Sequence, residues 1–314
     1  MATPRPIIID TDPGQDDAVA ILLALASPEL NLLGITTVAG NVPLALTSRN
    51  ACMLLELAQR RDVPVFAGAI RPLVRPLVTA ENVHGKSGLD GPVLPEPTLA
   101  LAPGDAVDFM VRTLRGRPSG SVTLCPLGPL TNIALALVRA PDIAPRIAQI
   151  VLMGGGCFEG GNITPAAEFN IYVDPHAAEV VFKSGVPIVM MPLDVTHQVL
   201  TTPPRIAALR AIGNRSGEVV AQMLEFFERF DSAKYGSDGG PLHDPCVIAY
   251  LLRPALFGGR HINVEIETRS ELTMGMTVAD WWGVSGRPAN ATFMRQVDAD
   301  GFFALLCERL ARLP

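Results

Sequence analysis

An open, mainly parallel α/β sheet of the Rossmann-like kind, flanked by helices and finished by a C-terminal antiparallel elaboration, is the fold this sequence predicts. Three observations predict it. Short β-branched runs alternate with longer helical patterns through the first two-thirds of the chain, glycines and polar residues recur just after the runs, and the pattern changes after about residue 200.

The strand-like runs lie at 6–10, 32–38, 63–67, 122–127, 147–153 and 186–192, with amphipathic or apolar helical stretches between them at 18–26, 44–60, 104–114 and 175–183. Such alternation implies parallel strands joined by helices that cover both faces of the sheet. Beyond residue 200 come a helix at 217–230, a Gly-rich loop and an apolar helix at 246–252, then runs at 261–268 and 271–279 that predict an antiparallel hairpin at the sheet edge. No linker, low-complexity tract or internal repeat interrupts the chain, so residues 1–314 read as one domain.

Composition narrows the function. Hydrophobic residues make up 48% of the 314 positions and charged residues 18%. No apolar run nears the roughly 20 residues that span a bilayer; the longest, 18–26, is bounded by Asp17 and Ser27 and reads as a buried helix. The first ten residues lack a secretory apolar region and cleavage site, which predicts a cytoplasmic protein with no membrane partner. A net charge of −6 without Lys/Arg clusters argues against nucleic acid. Five cysteines, scattered and without a CxxC pair, predict reduced thiols rather than disulfides or structural zinc.

In open α/β sheets ligands bind outside the carboxyl ends of the strands. Asp10 and Asp12 end the first run here, residues 37–41 the second, Leu127-Gly128 the fourth, Gly154-Gly155-Gly156 the fifth and Asp194 the sixth. The first of these ends is the most unusual. Asp10-Thr11-Asp12-Pro13-Gly14-Gln15-Asp16-Asp17 places four carboxylates around one strand-to-helix turn with no Lys or Arg among them. Capping the following helix accounts for one of Asp16 and Asp17. The mutual repulsion of all four calls for a bound cation, and an all-oxygen donor set selects a hard ion, Ca²⁺ or Mg²⁺, over zinc.

Two later segments add to this. In His243-Asp244-Pro245 the aspartate and proline have the form of a helix cap and first turn, and the histidine adjoins a candidate ligand after a Gly-Gly-Pro loop. The stretch 162–176 carries Asn162, Glu168, Phe169, Asn170 and Tyr172, amides and a carboxylate among aromatics, which suits a polyhydroxylated ligand bearing a flat group; Asp174-Pro175 within it reads as a structural cap.

The stretch Asp10 to Ala18 resembles the N-terminal motif of the inosine-uridine preferring nucleoside hydrolases. Thr36-Thr37-Val38-Ala39-Gly40-Asn41-Val42, Asn82-Val83-His84-Gly85, Pro126-Leu127-Gly128-Pro129-Leu130-Thr131-Asn132, Met153-Gly154-Gly155, Glu168-Phe169-Asn170 and His243-Asp244-Pro245 resemble further segments of that family, in the family's order. The resemblance implies hydrolysis of the N-glycosidic bond of ribonucleosides. It implies calcium held by Asp12, Asp17 and Asp244 with the Leu127 carbonyl, and Asp16 as the general base toward a calcium-bound water. Asn41 and Asn170, with Asp16 and Asp244, would hold the ribose 2′ and 3′ hydroxyls, and Asn162 and Glu168 the 5′ hydroxyl. His243 would contact or protonate the base, while His84, Met153, Phe169 and Tyr235 would line the pocket, with Asp10 behind the ligands. A homodimer or homotetramer is also implied. The chemistry is consistent, because an oxocarbenium-like transition state needs a positioned water and a base for its proton, and direct attack by that water predicts inversion.

Two other readings compete. Asp10-Thr11-Asp12 after a strand mimics the nucleophile motif of haloacid dehalogenase-type phosphatases, yet none of Lys86, Lys183 and Lys234 follows a strand as that class requires. A calcium-dependent ribose-binding protein without catalysis would need neither Asp16 nor His243. Trp281-Trp282 marks either a subunit interface or a packed hairpin end.

Overall fold

Parallel strands buried on both faces should read as continuous apolar runs, and the first strand does. In the computed structural model, which describes residues 3–235 and 238–314 and only the helical backbone of 230–235, Arg5–Thr11 forms β1. Ile7 and Ile9 enter the apolar layer on one face of the sheet and Ile8 the layer on the other. The chain continues through β2 (Leu30–Thr37), β3 (Val65–Ala67), β4 (Val122–Pro126), β5 (Ile147–Met153) and β6 (Ile188–Met191), then β7 (Phe257–Ile262), β8 (Val264–Ile266), β9 (Thr277–Ala279) and β10 (Ala291–Val297). Eight of these strands form one sheet in the order β3-β2-β1-β4-β5-β6-β10-β7, parallel except for β7. The small second sheet pairs β8 with β9.

The strand order fixes where a ligand can bind. From β1 the chain winds outward through β2 to β3, then returns to β4 on the opposite side of β1. The crossovers diverge at that switch point and leave a crevice beyond the carboxyl ends of β1 and β4. Leu127 N donates to Asp10 O at 2.8 Å just past the ends of these strands.

Helix Gln15–Leu25 is buried along its whole length, including Gln15, Asp16 and Asp17. It lies between the sheet and helices Arg215–Tyr235, Pro245–Leu252 and Ala299–Leu310. Its apolar circumference, Ala18 to Leu25, is what such enclosure requires. Helices Ala106–Arg115, Thr131–Arg139 and Pro175–Phe182 cover the other face. Among the described residues no helix is long and apolar enough to cross a membrane.

The predicted strands and helices recur within a few residues of their expected ends, but the C-terminal region needs a correction. The runs at 261–268 and 271–279 do pair antiparallel, Val264 opposite Ala279, but in the separate small sheet. The edge strand of the main sheet is β7, which pairs antiparallel with β10. β10 lies parallel to β6 and buries Ala291 and Phe293. Sequence pattern does not reveal it, because the polar positions Thr292, Arg295 and Gln296 break the apolar run and no short turn links it to β6.

Candidate active site

The floor of the crevice is built by the turn after β1. Asp17 accepts a hydrogen bond from Gly14 N at 2.9 Å and another from the Thr11 hydroxyl, so it closes the start of its helix as a cap. Asp12 is pinned from above: its Oδ2 accepts from Asn41 N at 2.7 Å, while its buried Oδ1 has no hydrogen-bond partner. The carboxylate sits between Gly40 and Gly128, and a Cβ on either glycine would collide with it. Asn41 Nδ2 donates to Asp12 O at 3.1 Å and to Asp17 Oδ2 at 3.2 Å.

Asp244 joins this group across more than two hundred residues of chain. It is the N-cap residue of helix Pro245–Leu252, with Pro245 in the first turn, but its carboxylate makes no capping hydrogen bond. It turns toward the floor instead, where carboxylate oxygens of Asp16, Asp17 and Asp244 lie within 4.8 Å of one another. Burial, followed by the charges of Asp16, Asp17 and Asp12, pushes the Asp244 carboxyl well above the usual carboxylate range. Burial and then Asp17 do the same to Asp12, and burial raises Asp17 despite its hydrogen bonds.

Asp10 lies behind this cluster. Its Oδ1 accepts from Thr36 Oγ1 at 2.5 Å and from Asn132 Nδ2 at 2.8 Å, and burial raises it to about 7. A carboxylate so enclosed, with no exposed oxygen, is placed to brace the strand ends and not to attack a phosphoester.

Above the floor is a cavity that opens to solvent. Amides and a carboxylate form one wall. Asn170 Nδ2 donates to the Leu127 carbonyl at 2.6 Å, with longer approaches to Met153 O and Sδ at 3.4 Å. Glu168 accepts from Gly155 N and Asn170 N, each at 2.9 Å, and from Ile171 N at 3.3 Å, thereby capping the short helix Phe169–Val173. Burial outweighs these donors and raises Glu168 to about 7. Asn162 Oδ1 accepts from Phe169 N at 2.8 Å.

Imidazoles form the opposite wall. His243 Nδ1 lies 2.7 Å from Thr196 Oγ1, and burial, with His197 and His84 nearby, pushes its ring well below the ordinary histidine range. His84 Nδ1 lies 2.7 Å from Gln15 Oε1, and burial lowers this ring to about 3. Phe227 bridges the two, its ring centroid 5.5 Å from that of His84 and 6.5 Å from that of His243.

Of the residues the sequence singles out, Asp16, Asn41, His84, Leu127, Met153 and Asn162 line this cavity, as do Glu168, Phe169, Asn170, His243 and Asp244. Asp12 and Asp17 lie beneath it. Tyr235 falls outside the described side chains. Asp194, expected on the same rim, instead accepts from Cys157 N at 2.8 Å and Phe158 N at 2.7 Å, and it lines a separate groove beside Trp281. The lining residues to which the sequence assigns no role are Ala80, Asn82, Val83, Ile163, His197 and Phe227. Phe227 belongs to an amphipathic helix whose apolar positions look like core. His197 does carry a signal, since it follows the end of β6. Trp281 is half-buried against Phe158 and Phe293, with Arg260 and Arg295 over its ring, whereas Trp282 is 74% exposed.

An all-oxygen floor with an orphaned Asp12 oxygen, and with carboxyls raised by their own proximity, fits a hard divalent cation and no softer metal. Such a floor at a sheet switch point, below amides and imidazoles, suits an α/β enzyme that would hold such a cation against a small polyhydroxylated substrate. The pattern described as inosine-uridine preferring nucleoside hydrolase matches residues 7–304. A pyrimidine-specific ribonucleoside hydrolase, RihA of Salmonella agona, is 52% identical over 97% of this chain and 98% of its own length. The purine-preferring ribonucleoside hydrolase from Gardnerella vaginalis superposes with a TM-score of 0.91 at 31% identity, covering 98% of each chain. A plant nucleoside hydrolase, PpNRh1, superposes at 0.90 and 33% identity over 98% of this chain and 99% of its own.

The chain therefore belongs to the inosine-uridine preferring nucleoside hydrolase family and is a nucleoside hydrolase. That family is metal-dependent, and its usual ion is calcium.

Proposed function

We propose that this protein hydrolyses pyrimidine ribonucleosides to free base and ribose, with Ca²⁺ held by the carboxylates of Asp12, Asp17 and Asp244 and by the Leu127 carbonyl. The carrying observation is the convergence of Asp16, Asp17 and Asp244 at the floor of a cavity walled by amides, a carboxylate and imidazoles. Pyrimidine preference is supported by the 52% identity to an enzyme named for it, against 31% to one named for purines.

When bound, the ion supplies positive charge that lowers the pKa of a water molecule and draws in a ribose diol. Asp16 would act as the general base that accepts the proton of the attacking water. Asn41, Asn170, Asp16 and Asp244 hold the 2′ and 3′ hydroxyls, and Asn162 and Glu168 hold the 5′ hydroxyl, which aligns the anomeric carbon with the attacking oxygen. Attack from the floor breaks the N-glycosidic bond through an oxocarbenium-like state and inverts the anomeric carbon. His243 meets the departing base, and Met153 and Phe169 pack beside it. Tyr235 belongs to the same reading as a base contact. Buried carboxylates this close hold their charge only with a counter-ion, which is why turnover should require the metal.

The test is release of base and ribose from uridine, cytidine, inosine, adenosine and guanosine, with and without EDTA. The reading requires release from uridine and cytidine that EDTA stops and calcium restores. Faster release from purines would overturn the pyrimidine assignment. No release from any of them, by protein shown to bind calcium, would overturn the enzyme's proposed substrates. A product sugar of retained configuration would overturn direct attack. A homo-oligomer in a reducing, cytoplasmic setting belongs to the same proposal, supported by exposed Trp282 and Val284 and by five free cysteines. Light scattering at a monomer mass would remove the first part.

A further inference from the structure

Gln15 is buried in the first turn of its helix and lies outside the cavity lining. Its Nε2 donates to the backbone carbonyls of His84 and Asp90, each at 3.0 Å. Two acceptors use both amide protons and decide which end of the side chain is which. Turned over, Oε1 would face two carbonyl oxygens at hydrogen-bond distance with no proton between them. Oε1 therefore faces His84 Nδ1 at 2.7 Å. An amide oxygen can only accept, so the proton in that contact sits on Nδ1. Burial holds the His84 ring neutral, down to about 3, so the ring has no second proton. Nε2 is then a bare lone pair. The Nδ1–Cε1 edge is closed in, since a Cβ on Gly14 would collide with it. The nitrogen left for the cavity that His84 lines is Nε2.

We propose that Gln15 is a positioning residue that locks His84 in its Nδ1–H tautomer and so makes His84 Nε2 a dedicated acceptor for an N–H group of the nucleobase. The proposal rests on the pyrimidine nucleoside reading above and deepens it. Uracil offers its N3–H to such an acceptor, and cytosine its exocyclic amine. It also divides labour among the imidazoles of the cavity. His84, held this way, presents no proton to the base, so a proton reaching the departing base comes from elsewhere, and His243 and His197 are the other imidazoles in the lining.

The first test needs no substrate. Two-bond ¹H–¹⁵N spectra of the full chain labelled at histidine, with His84 assigned by its loss in His84→Asn, report the tautomer directly. Nδ1–H is expected, and Nε2–H overturns the proposal whatever the enzyme hydrolyses. The second test compares uridine with 3-methyluridine in the wild type and in Gln15→Met. Methylation should raise wild-type KM about tenfold. Gln15→Met should raise KM for uridine by a similar factor, leave kcat within about twofold, and remove most of the difference between the two substrates. The methyl group's bulk alone would penalise 3-methyluridine equally in both proteins, and that additive result overturns the proposal. The Nδ1–H tautomer in a protein that hydrolyses no nucleoside would overturn the substrate reading and not the locking of His84 by Gln15.

Discussion

At the floor of the cavity four carboxylates from one turn and one distant helix start are crowded against each other, whereas the opposite wall is made of neutral imidazoles and Phe227. The floor's polar atoms bond mainly to one another and to nearby backbone, and burial drives its carboxyls upward. The imidazole wall is also buried, but burial there acts on bases and keeps them uncharged. Desolvation favours the neutral form of both kinds of group. The outcomes differ because a carboxylate cluster becomes useful when a cation restores its charge, while a neutral imidazole is already a donor or acceptor. The floor thus suits the unchanging part of a nucleoside, its ribose, and the wall suits the part that varies. Family members whose names differ in base preference share this fold, as that division requires.

The strongest way to break the comparison is at the floor. Asp16→Asn should lower kcat for uridine by about 10³ while KM moves little, because a general base acts in the transition state. A tenfold or smaller loss in steady-state kinetics would remove Asp16 from that role. Glu168→Gln tests whether burial truly outweighs hydrogen bonding at the amide wall. Glu168 is raised from 4.5 to about 7, so the fold favours its protonated form. Its contribution is then fully present below pH 4.5 and is lost as pH rises through 7. The wild type should lose on the order of 3 kcal/mol relative to Glu168→Gln between those limits, as read by urea unfolding across pH. A wild type that gained relative stability on going up would show that its backbone donors dominate. The smallest effect belongs to the imidazole wall: Phe227→Ala should raise KM by about tenfold through lost packing on the base, with kcat nearly kept. A fall in kcat with unchanged KM would make Phe227 part of the chemistry instead.

Much of the floor was legible because three of its members, Asp12, Asp16 and Asp17, are neighbours in sequence, with Asp10 just before them. No solvated surface needs acids that dense around a strand-to-helix turn with Pro13-Gly14 in it. The parallel sheet was legible for a similar reason, since its strands alternate regularly with helices up to β6. Asp244 was half-legible: its place before Pro245 is a cap by pattern, and only the fold shows its carboxylate turned away from the helix start. β10 and the placement of β7 beside it were not legible, because the pairing joins residues that no turn chemistry connects.

The sequence by itself determined the α/β class, the acidic turn and the order of the motifs, all of which depend on contacts between near neighbours or on local periodicity. Tertiary structure alone decided which residues share a wall. His197 and Phe227 reach the cavity through long connections, and Asp194 is drawn off to hold the loop at Cys157 and Phe158. Gln15 is the clearest case. In the sequence it is one polar residue among acids. Only when the fold brings His84 and Asp90 against it are both its amide protons committed, and only then does its oxygen fix the proton on an imidazole 69 residues away. Periodicity and composition carry no information about contacts at that separation, because the closure that makes them depends on the packing of the whole sheet.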